Sequence, residues 1–369
     1  MKVAIDAQLT VGTATGIGEY VAGLAAALRA TGSDVVELSE PALDPWRFDR
    51  RVYWDQVLLP QRTRLCGATL LHCASGTVPL RVSVPVVVTV HDVAWLRVQH
   101  HARPYARYYF GRFSLDRYRS AAAIAVDSEF SRAELLDALG WLDPARVHVV
   151  YPGVAADFCS LRRRGSDGRT ILAVGTVERR KNLELLVRAL PFLEGARLVA
   201  VGPATPYLHE CAAVAKLLDV ADRVEFRGYV DRAELLDLYA CAAVVAVPSQ
   251  YEGFGYAAAQ ALCAGTPCIV SACSALPEVV GPDATVVEVD DLMRWVEGLA
   301  TLLQGEGDAR AAAARERAIE RYAWSSGAEK MARIYAQALE GAEPGTADLV
   351  GLASSRHPER RRAAPKSKG

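Results

Sequence analysis

The sequence predicts an α/β protein in which two doubly wound sheets face each other across a cleft. Strand, loop and helix alternate through the first half of the 369 residues, and the alternation restarts at residue 170. A polar, basic stretch at residues 160–168 lies between the halves and predicts a hinge. A chain of this length suits two domains better than one. Strands that alternate with helices form parallel sheets, so ligands are expected at the carboxyl ends of the strands.

The first half contains one candidate ligand-binding residue, His91, and one glycine turn. Strands are predicted at residues 2–6, 35–38, 70–73, 84–90, 121–126 and 147–150. Gly16 and Gly18 lie in the turn after the first strand, and a helix is predicted from Glu19. The strand at 84–90 is apolar on both faces, as a central strand would be, and it places His91 at the ligand edge. A histidine that only caps a loop is the alternative.

The second half contains a junction of strand, glycine turn and helix. Strands are predicted at residues 170–174, 197–201, 224–226 and 242–247. The last strand leads to Glu252, Gly253 and Gly255, and then to an alanine-rich helix that ends near Gly265. Such a junction presents backbone N–H groups and a helix dipole to an anion, and its glycines admit a phosphate. The Glu252 carboxylate would repel phosphate, so sugar hydroxyls are its expected partners. Together these features indicate a nucleotide-sugar.

Composition and charge exclude several classes of protein. The net charge is −1, so the molecule as a whole does not attract nucleic acid. No signal peptide and no apolar run long enough to span a bilayer are visible, which predicts a cytoplasmic location. The eight cysteines include no Cys-x-x-Cys and no zinc-ligand spacing, so no zinc site is expected from them. Cys241, Cys263 and Cys268 are predicted to fill the core.

Two segments predict contact with a membrane. Residues 96–119 mix arginines with tyrosines and phenylalanines. A helix of this kind can lie on the anionic inner face of a membrane, or it can bind a phosphorylated acceptor. Alternatively, it packs its aromatic rings on the sheet and leaves its arginines in solvent. Residues 341–369 are predicted to form a disordered basic tail.

Seven motifs in order resemble those of the retaining glycosyltransferases of family 4, which have the GT-B fold of two Rossmann-like domains. The resemblance covers nearly the whole chain. The motifs lie at Thr15–Gly18, His91-Asp92, 127–132, 149–154, 175–182, 228–230, and 252–255 with 265–267. It implies an acceptor-side domain over residues 1–160 and a nucleotide-sugar domain over 161–320. It also implies a helix at 321–340 that crosses back to the first domain.

The resemblance also implies roles for individual residues. Lys181, with Arg180 beside it, would bind the donor diphosphate, and Glu252 would contact the donor sugar. His91 would lie near the donor sugar and the reacting centre, which makes these four the expected catalytic residues. The expected donor site comprises Gly16, Gly18, Thr176, Arg180, Lys181, Glu252, Gly253, Phe254, Gly255 and Gln260.

The chain departs from the family pattern at two positions. Many relatives carry arginine where this chain has Thr176, so Arg180 and Lys181 must supply more of the charge that meets the diphosphate. The second acid of the family's Glu-x7-Glu pattern, which holds the ribose hydroxyls, falls on Gln260. An amide offers one acceptor oxygen where a carboxylate offers two. Losing one charge-assisted bond costs about 1–3 kcal/mol if nothing compensates, or on the order of tens of fold in donor binding.

The implied activity is transfer of a hexose from a nucleotide-diphosphate sugar to an acceptor hydroxyl with retention of configuration. A leaving phosphate oxygen would take the acceptor's proton, and neither metal nor cofactor is required. GDP-mannose is the favoured donor, and the acceptor is a glycan, a lipid-linked sugar or a small molecule. One alternative is a weak or inactive sugar-nucleotide binder of the same fold, marked by Gln260. Another is a different GT-B enzyme, such as an epimerase or a phosphorylase.

Overall fold

The computed structural model describes residues 1–12, 16–94 and 107–341, and these form two six-stranded sheets. The strands of the first sheet are β1 (Lys2–Asp6), β2 (Asp34–Leu38), β3 (Leu70–Cys73), β4 (Val86–Val90), β5 (Ala123–Val126) and β6 (Val147–Val149). Their order across the sheet is β2-β1-β3-β4-β5-β6, and all neighbours are parallel. Every residue of β4 is buried, as the apolar run predicted for a central strand.

The second sheet is also parallel throughout. Its strands are β7 (Thr170–Val174), β8 (Arg197–Val201), β9 (Val224–Gly228), β10 (Val244–Val247), β11 (Cys268–Ser271) and β12 (Thr285–Val287). Their order is β12-β11-β10-β7-β8-β9. Both β11 and β12 extend the sheet beyond the four strands predicted from the sequence. The strand before Glu252, β10, therefore lies inside the sheet rather than at its edge.

Helices cover both faces of both sheets. Those of the first half are α1 (Gly16–Ala30), α2 (Phe48–Tyr53), α3 (Leu59–Leu65), α4 (Ser114–Arg117), α5 (Glu129–Ala138) and α6 (Ala156–Cys159). Those of the second half are α7 (Leu183–Ala189), α8 (Tyr207–Leu217), α9 (Arg232–Cys241), α10 (Tyr256–Ala264), α11 (Leu276–Val280), α12 (Leu292–Leu303), α13 (Asp308–Arg321) and α14 (Trp324–Glu340). Residues 54–58 join α2 to α3 helically, in a stretch that the sequence did not predict.

The last helix, α14, packs on the first sheet. Its buried side chains, among them Met331 and Tyr335, share a hydrophobic core with Tyr20 and Leu24 of α1. The Tyr335 hydroxyl is 2.7 Å from Nδ1 of His72 on β3, so a polar bond also fixes this helix. The helix that ends the second half of the chain therefore forms part of the first half's core.

The structure corrects two details of the sequence predictions. Helix α1 begins at Gly16, so Gly16 and Gly18 lie in its first turn and not in a preceding loop. First-turn N–H groups have no intrahelical partner, and glycine is tolerated there because packing outweighs its low helix propensity. Thr15 of the same motif lies outside the described residues. Cys241 is exposed because it ends α9 at the surface, whereas Cys263 and Cys268 are buried as predicted.

The segment predicted as one helix over residues 96–119 is described only from residue 107. Gly111 has non-helical angles (φ −87°, ψ −111°), which break the segment before α4. Tyr109 is buried and bonds to Asp55, whereas Tyr108 is exposed. The tail predicted for residues 341–369 lies outside the described residues beyond Gly341. Within the part of the chain that is described, no helix has both the length and the apolar character needed to cross a membrane.

We predict that Gly23→Ala destabilises the protein through Trp324, although alanine is the better helix former. A Cβ at Gly23 would lie 2.2 Å from Cε2 of Trp324, whose ring also contacts Tyr20. Overpacking of this kind costs about 1–3 kcal/mol, and this lowers the urea midpoint. Gly140→Ala is the control, because a Cβ there meets no atom within 4 Å. Equal midpoints for the two variants would contradict this docking.

Candidate active site

The two halves of the chain meet where the carboxyl ends of the strands face each other. Ser128 Oγ donates a hydrogen bond of 2.6 Å to the carbonyl oxygen of Gly253, and Ser131 Oγ donates one of 3.0 Å to the same oxygen. A Cβ at Gly253 would lie 2.0 Å from the carbonyl oxygen of His91. Only glycine allows this approach. We call these interactions of Gly253 with Ser128, Ser131 and His91 the cross-cleft contact.

Glu252 lies beside the cross-cleft contact and is surrounded by donors. Its Oε1 accepts from Lys181 Nζ at 2.5 Å and from Ser249 Oγ at 2.7 Å. Its Oε2 is 3.3 Å from an Arg180 nitrogen. Burial opposes the charged form of Glu252, but Lys181 and Arg180 outweigh burial and hold its pKa below the usual 4.5. The structure therefore brings together three of the four predicted catalytic side chains, because Lys181 and Arg180 both contact the buried carboxylate of Glu252.

The glycine turn after Glu252 opens helix α10 as predicted. Gly255 adopts a φ of +97° directly before the first residue of α10, a conformation that favours glycine. The first N–H groups of α10 thus emerge beside Glu252. Phe254 is buried among the rings of Tyr151, Tyr256 and Tyr322, so its contacts are those of a packing residue.

Gly16 and Thr176, one from each half of the chain, lie close to this region. A Cβ at Gly16 would be 3.8 Å from the ring of Tyr256, so the N-terminus of α1 faces the start of α10. Gly18 is buried one half-turn further along α1. Thr176 lines a small cleft together with Gly175, Lys181 and Ser249. The glycines of the first half and the loop of the second half thus flank the same region.

His91 is held by two acceptors. Its Nδ1 is 2.6 Å from Asp127 Oδ2, and its Nε2 is 2.9 Å from the carbonyl oxygen of Ala74. Two acceptors require both nitrogens to carry protons, which describes an imidazolium. Burial opposes this charge, but the Asp127 carboxylate and both hydrogen bonds outweigh it and raise the pKa of His91 above 6.5. The Tyr20 ring packs against the imidazole in a T-shaped arrangement, with centroids 4.8 Å apart.

Gln260 lies on α10 one turn beyond Tyr256. Its Oε1 accepts from the Tyr239 hydroxyl at 3.1 Å, and its Nε2 is 3.5 Å from Glu19 Oε2 on α1. Gln260 is 5% exposed. The structure thus places this predicted donor-site residue against the first half of the chain, beside the Glu19 carboxylate, for which only the start of a helix was predicted.

Sequence reasoning missed several residues of this region. Ser128 is the N-cap of α5, and Asp127, the residue before it, pairs with His91. Strand register offered a signal, since Val90 and Val126 are paired and the next residues are His91 and Asp127. Ser249 precedes Glu252 by three residues and carried no comparable signal. Among the described residues, no cluster of three or more His, Cys, Asp or Glu side chains has the arrangement of a metal site.

Comparisons with known proteins agree with this architecture. Residues 14–158 match the family model Glycosyltransferase Family 4, and residues 162–321 match Glycosyl transferases group 1. The D-inositol 3-phosphate glycosyltransferase of Xylanimonas cellulosilytica is 37% identical over 283 residues, which are 70% of this chain and 68% of that protein. In another relative of that name, from Mycobacterium marinum, the match spans 46% of the protein.

Solved structures share the fold at low sequence identity. Sucrose-phosphate synthase from Thermosynechococcus elongatus has a TM-score of 0.74 at 21% identity, over 92% of this chain and 100% of that one. HepE from Anabaena in complex with UDP has a TM-score of 0.68 at 16% identity, over 91% and 100%. The solved structures and the two facing parallel sheets confirm the predicted GT-B fold. The family models add that the protein is a glycosyltransferase. The chain belongs to glycosyltransferase family 4.

We predict that His91 titrates above pH 6.5 and that Asp127→Asn lowers its pKa, because the neutral amide removes the charge but keeps an acceptor oxygen. The stability that the His91–Asp127 ion pair contributes is therefore fully present below pH 6.5, and it is lost as the pH rises through the pKa of folded His91. NMR titration of the imidazole protons measures this, with His91→Gln for assignment. Asp116→Asn, at an exposed carboxylate of α4, is the control. A wild-type midpoint at or below 6.5 would contradict the imidazolium.

Proposed function

We propose that the protein transfers a hexose from a nucleotide-diphosphate sugar to an acceptor hydroxyl with retention of anomeric configuration. The observation that carries this proposal is the group of Lys181, Arg180 and Glu252 beside the N-terminus of α10. Cations and helix N–H groups suit a diphosphate, and a carboxylate suits sugar hydroxyls. In this proposal residues 161–320 bind the donor, and residues 1–160 bind the acceptor.

The proposed chemistry depends on charge that develops on the leaving diphosphate. Lys181 carries three N–H donors, and one of them reaches Glu252. The others can meet a phosphate oxygen without releasing Glu252. Fixed positive groups that meet developing negative charge lower the barrier, and each such donor contributes about 100-fold or more. Lys181 and Arg180 supply this charge in place of the arginine that Thr176 replaces.

The environment of His91 favours a role other than general base. Both of its ring nitrogens are committed to acceptors, Asp127 and Ala74, so no lone pair remains to take a proton. We assign His91 to stabilising negative charge near the donor through its imidazolium charge, since neither of its N–H groups is free to bind the sugar. The acceptor's proton passes to an oxygen of the leaving phosphate, on the same face as the departing group. This course gives retention.

The donor and the acceptor are proposed on different grounds. GDP-mannose remains the donor favoured by the sequence. Since a fold relative binds UDP, UDP-sugars belong in the same screen. The name of the two relatives described above points to inositol 3-phosphate as an acceptor to test beside glycans and lipid-linked sugars. Mass spectrometry of products from a matrix of donors and acceptors identifies the pair. The cytoplasmic location and the peripheral membrane contact stay predictions.

A sugar-nucleotide binder with little or no activity is the second candidate, and Gln260 favours it. An amide lies at the position where the family pattern has its second acid. Calorimetry with GDP and UDP, alongside the product screen, separates the two candidates. Binding without any transferred sugar across the screen would support the binder, whereas release of nucleoside diphosphate only when an acceptor is present supports the transferase.

We predict that transfer is independent of divalent metal, because the diphosphate charge is met by Lys181, Arg180 and the α10 N-terminus. The assay is product formation before and after incubation with EDTA, with added Mg²⁺ or Mn²⁺ as the reciprocal experiment. Equal rates in all samples are expected. A rate that falls with EDTA and returns with Mg²⁺ would show that a metal participates.

We predict that Lys181→Ala and Glu252→Gln each lower kcat by about 100-fold or more while the fold is retained. Lys181→Ala removes charge that meets the leaving group, and Glu252→Gln removes charge beside the sugar. Lys216→Ala, at an exposed lysine of α8, is the matched control and should transfer at the wild-type rate. Circular dichroism and thermal unfolding check the fold. Undiminished transfer in both variants would end this assignment of the site.

A further inference from the structure

Helices α1 and α10 face each other, and two residues of one helix lie opposite two residues of the other. Gly16 and Glu19 are three residues apart on α1, and Tyr256 and Gln260 are four apart on α10, so each pair lies on one helix face. Gly16 is opposite the Tyr256 ring, and Glu19 Oε2 is 3.5 Å from Gln260 Nε2. The first half of the chain therefore presents a carboxylate directly to the position where family 4 has its second acid.

The Glu19 carboxylate is oriented and keeps acceptor capacity. Its Oε1 is 3.2 Å from an Arg232 nitrogen, and Arg232 is itself fixed by two bonds of 2.6 and 2.7 Å to Asp157. A carboxylate has about four lone-pair sites, of which Arg232 and Gln260 use two. Two sites, one on each oxygen, remain for a ligand. Two acceptors on neighbouring oxygens match the two donors of a vicinal diol.

A second, independent feature marks the same place. The Tyr256 hydroxyl is buried and has no hydrogen-bond partner among the described residues. Burial raises the pKa of Tyr256 well above its usual value, and the nearby negative charges of Asp127 and Glu19 raise it further. The phenol therefore stays protonated. A buried O–H donor without a partner is costly, which indicates a site for an oxygen-bearing ligand between the two helices.

We propose that Glu19 supplies, from the opposite domain, the carboxylate that this site lacks at residue 260, and that it accepts hydrogen bonds from the ribose 2′- and 3′-hydroxyls of the donor nucleotide. The inference rests on the proposed function. Gln260 is about 6 Å along α10 from its first residue, so hydroxyls here lie beyond a phosphate bound at the helix N-terminus. The glutamine then has a reason: a second carboxylate at 260 would repel Glu19.

The test compares Glu19→Gln, Gln260→Glu and the exchange variant Glu19→Gln/Gln260→Glu with the wild type. The probes are GDP and UDP, each beside its 2′,3′-dideoxy analogue, and calorimetry gives each Kd. Glu19→Gln is expected to weaken GDP or UDP binding by about tenfold or more and to leave the dideoxy analogue unchanged. Gln260→Glu alone is expected to weaken binding through repulsion. The exchange variant is expected to recover most of the affinity, because one carboxylate again faces one amide.

Several results would overturn this inference. An equal loss for the ribose and dideoxy nucleotides in Glu19→Gln would show that Glu19 acts only through the fold. Wild-type affinity in Glu19→Gln would exclude the contact, as would a gain of affinity in Gln260→Glu alone. Glu329→Gln, at an exposed carboxylate of α14, controls for removal of one negative charge.

The two proposals fail in different ways. A wild-type protein that binds GDP or UDP through its ribose and transfers no hexose would remove the proposed function and leave the role of Glu19 intact. A wild-type protein that transfers hexose, with Glu19→Gln unchanged in KM and in nucleotide affinity, would remove the role of Glu19 alone. A protein that binds no nucleoside diphosphate would remove both.

Discussion

The candidate site depends on the cross-cleft contact at Gly253. Ser128 and Gly253 are separated by 125 residues, yet the hydroxyl of one bonds to the carbonyl of the other. No side chain separates Gly253 from the backbone of His91. Two further hydrogen bonds join the halves nearby: the Glu278 carboxylate accepts from the backbone N–H groups of Glu129 and Phe130 at 2.8 and 3.0 Å. A carboxylate at the first turn of a helix meets its unpaired N–H groups and its dipole. Because these contacts join the halves, residues from both sheets share one site.

Charge within this site is arranged in pairs that a ligand can join. Glu252 lies with Lys181 and Arg180, and Asp127 lies with His91. Pairing is what makes these charges tolerable, since an isolated charge in such a place would neutralise itself by a pKa shift. Lys181 keeps N–H donors for a ligand in the cleft, and His91 keeps the positive charge of its imidazolium. A dianionic diphosphate adds negative charge beside three cationic groups, which gives the apposed sheets a function that neither sheet has alone.

The sequence was sufficient for the fold and for part of the site. Alternation of strands and helices gave two parallel sheets, and the Glu252 and Lys181 motifs gave two loops that the sheets bring together. The pair of His91 and Asp127 was within reach, because it follows from the register of β4 and β5. Glu19 was not, since its contact with Gln260 depends on how the two halves sit against each other, and no periodicity within one helix encodes that placement. The start of α1 was missed because glycine is read as a turn residue.

The last helix connects the fold to His91 through a chain of buried polar bonds. Tyr335 bonds to His72, His72 bonds to Thr89 Oγ1 at 2.7 Å, and Thr89 bonds to the Tyr20 hydroxyl at 3.0 Å. The Tyr20 ring then packs against His91 in a T-shaped arrangement. Burial lowers the pKa of His72 to about 3, with the charge of His91 contributing, so His72 stays neutral and the chain fixes orientation rather than carrying charge. A helix encoded at the end of the second half thereby sets the position of an imidazolium in the first. The position of His91 and the contact between the two halves are therefore coupled, because α14, through this chain of buried polar bonds, and the cross-cleft contact both act on His91.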